Sequence, residues 1–545
     1  MYIAKRNKAR GNPCYYLTES ARVNGKPRII WQKYLGTAES LKKKLEQFEK
    51  ENIEVHSKAF GSVACILSIA DELNFHEIIN KCVEDKNYKL SVWQHLLIQS
   101  ICRFNEPISK DKSLDWYNHS ILPLLWKKKF SSSQTILNQF DKLIGTDVNT
   151  CSKIEEKLVQ ELLSKGIKPS ALIWDPTNFY TYIEKSKDLA KKGNSKEKRF
   201  DRNLINLGLV VSDENIPLFH NVYAGNIHET KVFTNVVDSI FERLKKFKQN
   251  TDDLVFVFDK GNNSDRNIGS IKGHNIIGAL KSNQIPKLYD VSLSEFKALY
   301  KNKKKHEIKG YRTKKKVYGQ EYTIVVTYNE QTYKKNKKKT EEAVKKIKTK
   351  FKEVEQSIKN YRKGKKATLK GISTRIGEFL HKQYAALFNW DFNEKEYTFS
   401  WEYNKVAYEK REKSFGKTIL FTNMHKKSSV NIAKTYNSKS IVEDDFKLLK
   451  NRLHISVKPI FLHDDNHIKA HIFICVLTMT FYRYMLWKLK NLKLSEAKIN
   501  EEIKNMRISF LKIKGSNSVK PVLEKMTPEQ IKIFNVLGLD RYFPY

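Results

Sequence analysis

Acidic residues are in short supply: 60 Asp and Glu stand against 101 Lys and Arg in 545 residues, a formal charge of +41. Cysteine is sparse as well. Cys14, Cys65, Cys82, Cys102, Cys151 and Cys475 are scattered with no CxxC pair, which argues against a zinc ribbon or a disulfide framework and fits a reducing compartment. Long apolar runs are missing. The longest, Ile472 to Tyr482, stops at Arg483 after 11 residues, short of the ~20 a membrane-spanning helix needs, and reads as a buried core helix. The opening MYIAKRNKARGN has no apolar export segment. Neither a Walker loop nor GxGxxG after a strand occurs, which removes the usual nucleotide-binding readings. Cysteine-based catalysis has no motif behind it. The expectation is a cytoplasmic protein without a membrane partner.

What is present is enough for a folded, multi-domain chain. Hydrophobic residues make up 40% and aromatics 12%, too rich for disorder, and the length suits about three or four domains. Residues 301–370 hold 25 Lys/Arg and 7 Asp/Glu, so less than half of the excess charge sits in that stretch. A solvated lysine-rich surface is one explanation. A polyanion lying across several domains accounts for the whole balance better, because each neutralised phosphate releases counterions. Membrane headgroups would also attract this charge, but no lipidation site accompanies it.

Residues 1–36 read as short strands, with a hairpin signal at Asn24-Gly25. Residues 37–165 read as helices, one capped by Ser91 and another opening at the serines 131–133. Strands follow: ALIWD (171–175), LINLGLVV (204–211), PLFHNVY (217–223), LVFVFD (254–259) and NIIGAL (275–280), with a helix after the third. That alternation implies a mixed sheet with helices against it. Residues 285–400 look inserted and lysine-rich. There, Val344, Ile347, Phe351, Val354, Ile358 and Tyr361 recur at helical spacing, a seam for the domain's own sheet or for a second copy. Thr527-Pro528-Glu529-Gln530 is a capping box that opens a terminal helix.

Two of the buried-strand runs end in an acid, Asp175 and Asp259. Each alone is an ordinary turn starter. Together they are informative if their strands are neighbours, about 4.8 Å apart. A third acid lies in YNSKSIVEDDFKLLK, residues 436–450. There, Tyr436, Glu443 and Lys450 are spaced by seven, nearly in line on one helix. Lys439 and Lys447 fall on or beside that stripe. An exposed face with ordinary ion pairs is the plain alternative, and Asp444 and Asp445 are alternative acids. His463, His467 and His471 have helical metal-ligand spacing, but without an HExxH glutamate they read as structural residues beside a helix cap.

The order of these pieces resembles the DDE transposases of bacterial insertion sequences, in the subgroup marked by Tyr-(2)-Arg-(3)-Glu-(6)-Lys around the third acid. This chain has Tyr436-(2)-Lys439-(3)-Glu443-(6)-Lys450, with lysine in place of the arginine. WDPTNFY (174–180) resembles the family's Asp-x-Thr segment, DKGNNSDRN (259–267) its Asp-x-Gly-(2)-Ser-(2)-Asn run, and FGKTILFTN (415–423) the strand before the signature helix. GNSKEKRFD (193–201), AGN (224–226) and HIKAH (467–471) fall where the family has similar segments.

The resemblance implies an α/β fold. A ribonuclease H-like mixed-sheet core (169–284 and 410–492) would be interrupted by an inserted lysine-rich α+β domain (285–409). A β-rich segment (1–60) and a mainly helical DNA-binding domain (61–168) would precede the core, and a helical region (493–545) would follow it. It further implies Asp175, Asp259 and Glu443 as catalytic acids holding two Mg²⁺ or Mn²⁺ ions, with Tyr436, Lys439, Lys447 and Lys450 on DNA. The implied partners are double-stranded DNA, as terminal inverted repeats and target, and a second copy of the chain. A nuclease or resolvase on the same core, or an inactive DNA-binding derivative, is the alternative.

Overall fold

The computed structural model describes all residues except 8–10, 24–25, 51–52, 85–89, 130–131, 133, 145–149, 185, 247–252, 303, 363–365, 459, 514–517 and 545. The Asn24-Gly25 turn and two of the serines 131–133 therefore lie outside the described residues. The chain divides into two compact units, one of residues 1–68, 115–130 and 489–545, the other of 69–114 and 131–488.

The larger unit is built on a nine-stranded mixed sheet. Its strands are β1 (Ala171–Thr181), β2 (Asn203–Ser212), β3 (Pro217–Ala224), β4 (Val255–Phe258), β5 (Asn275–Ala279), β6 (Lys297–Lys301), β7 (Glu307–Val317), β8 (Gln320–Asn329) and β9 (Lys417–Thr422). The spatial order is β6-β7-β8-β9-β5-β4-β1-β2-β3. Among the described residues the parallel pairings are β1 with β4 and β4 with β5, and every other neighbouring pair is antiparallel. Val255 to Phe258 are wholly buried, as expected of a central strand covered on both faces. On one face the helix α1 (Glu229–Lys246) packs its Phe233 ring 5.4 Å from Trp174 and 5.2 Å from Phe258. Residues alternate between faces along a strand, so Asp175, next to Trp174, faces away from α1.

The lysine-rich stretch is not a self-contained insertion. Residues 297–329 supply β6, β7 and β8 to the main sheet, with β8 paired to β9 from Thr323↔Thr422 to Tyr328↔Lys417. The remainder has a core of its own. The long helix α2 (Glu330–Lys359) buries Val344, Ile347, Phe351, Val354 and Ile358 against a two-stranded hairpin, Phe388–Asn393 with Thr398–Tyr403. Phe351 stacks on Trp401 at 5.3 Å, and Tyr361 meets Tyr397 at 5.1 Å. The apolar seam of α2 is thereby satisfied within the chain.

The smaller unit holds two three-stranded antiparallel sheets. One is Tyr2–Arg6, Cys14–Val23 and Lys26–Thr37, and the other joins Ile53–Ala59 to Arg507–Ile513 and Val519–Leu523. The region 493–545, expected to be helical, thus carries two strands between its helices Glu496–Asn505 and Pro528–Leu537. Arg507–Ile513 pairs with Ile53–Ala59, so the sheet is completed by residues far away in sequence. The Thr527 capping box is present, with Thr527 Oγ1 accepting from the Gln530 N–H at 3.1 Å and Gln530 Oε1 from the Thr527 N–H at 2.9 Å. The apolar run near the C-terminus lies in α5 (Asp465–Leu489), whose Phe473, Val476, Leu477 and Phe481 are buried.

Candidate active site

The parallel pairing of β1 with β4 ends at Trp174↔Phe258, and the next residues are Asp175 and Asp259. Both acids therefore leave the same end of the paired segment on adjacent strands, about 4.8 Å apart. Their surroundings differ. Strand β1 does not stop at Asp175, as its sequence suggested, but continues six residues to Thr181 because β2 pairs with its whole length. Strand β4 does stop, and Asp259 caps a short turn, its carboxylate accepting from the Lys260 N–H at 2.7 Å.

Burial pushes the Asp175 carboxyl up to about 7. Lys196 and Lys439 oppose the rise, while Asp259 and Glu229 add to it. Burial acts on Asp259 too, but there Lys439 and the Lys260 N–H outweigh it and hold the carboxyl below its ordinary value. Lys439 Nζ lies 3.1 Å from Asp259 Oδ1. The Tyr436 hydroxyl donates to the same oxygen at 3.2 Å. Burial raises the Tyr436 phenol, and Asp259, Asp175 and Glu443 all push in the same direction. One hydroxyl thus sits in the field of three carboxylates drawn from three distant parts of the chain.

Residues 428–450 were expected to form one helix. They form two, α3 (Ser429–Asn437) and α4 (Ser440–Lys450), joined by a tightened turn in which the Lys439 N–H reaches Tyr436 O at 3.1 Å and the Val442 N–H reaches Lys439 O at 3.2 Å. The straight stripe through Tyr436, Glu443 and Lys450 is therefore corrected. Tyr436 belongs to α3, where it is buried, and Glu443 to the first turn of α4, where it is exposed. The turn between them aims Lys439 at Asp259. Helix α4 lies over β1 and β2, on the Asp175 side of the sheet.

The neighbouring acids have other partners. Asp445 is fully buried, and its Oδ1 accepts from Arg483 Nε and Nη2, both at 2.7 Å. Asp444 pairs with Lys447 at 2.6 Å on the surface. Glu443, Phe446, Lys447, Lys450 and Asn451 line an open depression of about 390 Å³. Lys450 Nζ lies 3.8 Å from Glu197 and 5.6 Å above the Phe179 ring. The histidine trio shares no site: His467 Nε2 meets Asp141 Oδ1 at 2.6 Å, and His471 Nε2 meets Val457 O at 2.8 Å. Asp464 caps α5 by accepting from the Asn466 and His467 N–H groups.

Several motif residues shape the site without facing it. Asn178 holds the loop 193–196 to β1, donating to Asn194 O at 2.9 Å and accepting from the Lys196 N–H at 3.0 Å. Ser264 caps the helix Asp265–Ser270 by accepting from the Asn267 N–H at 3.2 Å. Gly193 and Gly225 are required by close approach, since a Cβ on Gly193 would lie 2.0 Å from Gly225 O. Lys196, Glu197 and Glu229 were not singled out from the sequence. The first two lie inside the GNSKEKRFD segment, which resembled a family turn as a whole without marking either residue.

Among the described residues, no group of three or more His, Cys, Asp or Glu side chains is drawn close enough to hold a metal ion. What these elements define is a pair of carboxylates on adjacent parallel strands, capped by a lysine and a tyrosine from a helical turn. The chain belongs to the family described as transposase DDE domain, whose family model matches residues 166–481. A search of curated proteins finds no match. The matched span contains the three acids, Tyr436, Lys439, Lys447 and Lys450. The protein is thus a transposase, and DNA is its substrate class.

Proposed function

We propose that this transposase cuts an insertion sequence from DNA at its terminal inverted repeats and joins it to target DNA, with Asp175, Asp259 and Glu443 as the catalytic acids on a ribonuclease H-like core. The observation that carries the reading is the convergence on one Asp259 oxygen of Lys439 and Tyr436, the signature residues that precede Glu443. The strand order β5-β4-β1-β2-β3, in which β2 alone runs opposite to the other four, supports the core assignment.

The donor set suits two Mg²⁺ or Mn²⁺ ions, being all carboxylate oxygen. The charge balance agrees, because Asp175 is desolvated beside a second acid and Lys439 supplies the positive charge Asp259 requires. Asp175 would serve both ions, and Asp259 and Glu443 one each. When bound, such ions neutralise phosphoryl oxygens and make a water or 3′-hydroxyl more acidic. The remaining groups position DNA. Lys439, once off Asp259, and Lys450 would grip phosphates near the cut, and Lys447 a phosphate at the rim. Lysine at 439 keeps the charge but lacks arginine's bidentate fork, so end binding is held by a point charge. Tyr436 would orient the terminal nucleotide. Pairing two element ends calls for two copies of the chain on DNA.

The test is metal-dependent nicking of a supercoiled plasmid that carries the element's own ends. Asp175→Asn, Asp259→Asn and Glu443→Gln should each abolish nicking while the binding of end DNA persists. Full nicking by any one of them would remove that residue from the site.

A further inference from the structure

Around the far end of β1, Tyr180, Tyr182 and the segment before β2 carry an aromatic and cationic patch that the catalytic reading does not use. Tyr182 and Phe200 are 61% and 65% exposed, although rings of this size ordinarily bury their faces. Cations flank the two tyrosine rings, and Phe200 follows Arg199 directly in the sequence. The Arg202 guanidinium stands 4.5 Å from the Tyr182 ring centre, and that of Arg199 4.8 Å from Tyr180. Lys458 Nζ lies 3.3 Å from the Tyr180 ring, and the two tyrosine rings are 6.0 Å apart. The segment 187–202 holds seven Lys and Arg against three acids.

The patch is contiguous with the candidate active site. Glu443 and Lys450 stand seven residues apart on α4, about 10 Å along its axis. Glu197 lies 3.8 Å from Lys450 and 2.9 Å from Lys458, the residue that covers Tyr180.

The mixture of groups selects the ligand. Cations alone would suit the phosphates of any duplex. Exposed rings between them offer a flat apolar face, which a stacked base pair inside a duplex cannot meet but an unpaired base can. A protein partner would bury the rings too, but the surplus of cations favours a polyanion. We propose that Tyr182 and Phe200, with Arg199, Arg202 and Lys458, form a stacking platform for unpaired nucleotides of a DNA strand beside the catalytic acids. The proposal rests on the transposase reading, and it adds a single-strand site to it.

The experiment compares the full-length protein with Tyr182→Ala/Phe200→Ala, measuring fluorescence anisotropy with a labelled mixed-sequence 20-nucleotide DNA as single strand and as duplex. Loss of stacking at ~1–3 kcal/mol per base corresponds to about a 5-fold or greater loss of single-strand affinity, and duplex affinity should stay within about twofold. Tyr182→Phe/Phe200→Tyr, which keeps both rings, should bind single strands like the wild type. Because both rings are exposed, thermal unfolding should be unchanged. Unaltered single-strand affinity in the alanine variant, or equal loss for both probes, would overturn the platform while leaving the transposase reading standing. A wild-type protein that binds neither probe would overturn both.

Discussion

Three consecutive acids, Glu443, Asp444 and Asp445, occupy one turn of α4, and the structure separates their fates sharply enough to be tested. Asp445 has no exposed surface, and its partner Arg483 is 4% exposed. Both guanidinium contacts fall on one oxygen at 2.7 Å. Removing one partner of a buried, hydrogen-bonded pair leaves a stranded charge and costs about 3–5 kcal/mol. Asp445→Ala should therefore destabilise the larger unit by that order. Unfolding entropy of about 2 cal/mol/K per residue, over a unit of roughly 400 residues, turns 4 kcal/mol into a fall of about 5 °C in melting temperature. Replacing both partners together, Asp445→Leu/Arg483→Met, should recover most of the loss, since an apolar pair of similar volume avoids the desolvation cost. Glu443→Gln should leave the melting temperature unchanged while abolishing nicking. Differential scanning calorimetry and the plasmid assay on the same preparations read both quantities. An Asp445→Ala protein that melts like the wild type but cannot nick, beside an active Glu443→Gln protein, would show that the third acid has been misassigned.

Other outcomes follow from single contacts. Lys450→Ala should weaken duplex binding and lower the slope of log affinity against log salt by about 1, as loss of one phosphate contact requires; an unchanged slope would mean that Lys450 stays with Glu197 when DNA binds. Lys110, with its Nζ 3.0 Å from His471 Nδ1, is lowered to about 7, first by burial and then by Arg103. A lysine depressed on folding gives a protein whose stability rises with pH from about 7 towards the unfolded value near 10.4, because the unfolded chain holds the extra proton over that range. Lys110→Met should flatten that rise and be the more stable protein near pH 7, as urea melts at pH 7 and pH 9.5 would show; parallel profiles would mean the amine keeps its charge in the fold.

The sequence was most informative where the physics is local. Val255 to Phe258 is an unbroken apolar run, and such a run followed by an acid marks both the central strand and the point where Asp259 leaves it. The cap residues at Ser91 and Thr527 were equally readable, since a capping box needs only four residues. What could not be read depends on distant partners. Strand β1 runs past Asp175 because β2 pairs with it as far as Thr181↔Asn203, and a proline at 176 makes the segment look finished. Strand β8 was hidden in lysine-rich surroundings, although Ile324, Val325 and Val326 are fully buried. The break between α3 and α4 falls in Asn437-Ser438-Lys439-Ser440, where cap-forming Asn and Ser hint at an interruption that the seven-residue spacing of Tyr436, Glu443 and Lys450 concealed. Glu197, the link between Lys450 and Lys458, sits in a charged loop that composition alone cannot tell from ordinary surface.

The proposed catalysis requires Asp175, Asp259 and Glu443 to converge on divalent ions. Anomalous diffraction from crystals of the protein bound to an end duplex and grown with Mn²⁺ tests it most directly. Manganese peaks are expected between Asp175 and Asp259, with a Glu443 oxygen in coordination and Lys439 moved off Asp259 onto the DNA. Density in which Lys439 still holds Asp259, with manganese elsewhere or absent, would contradict it.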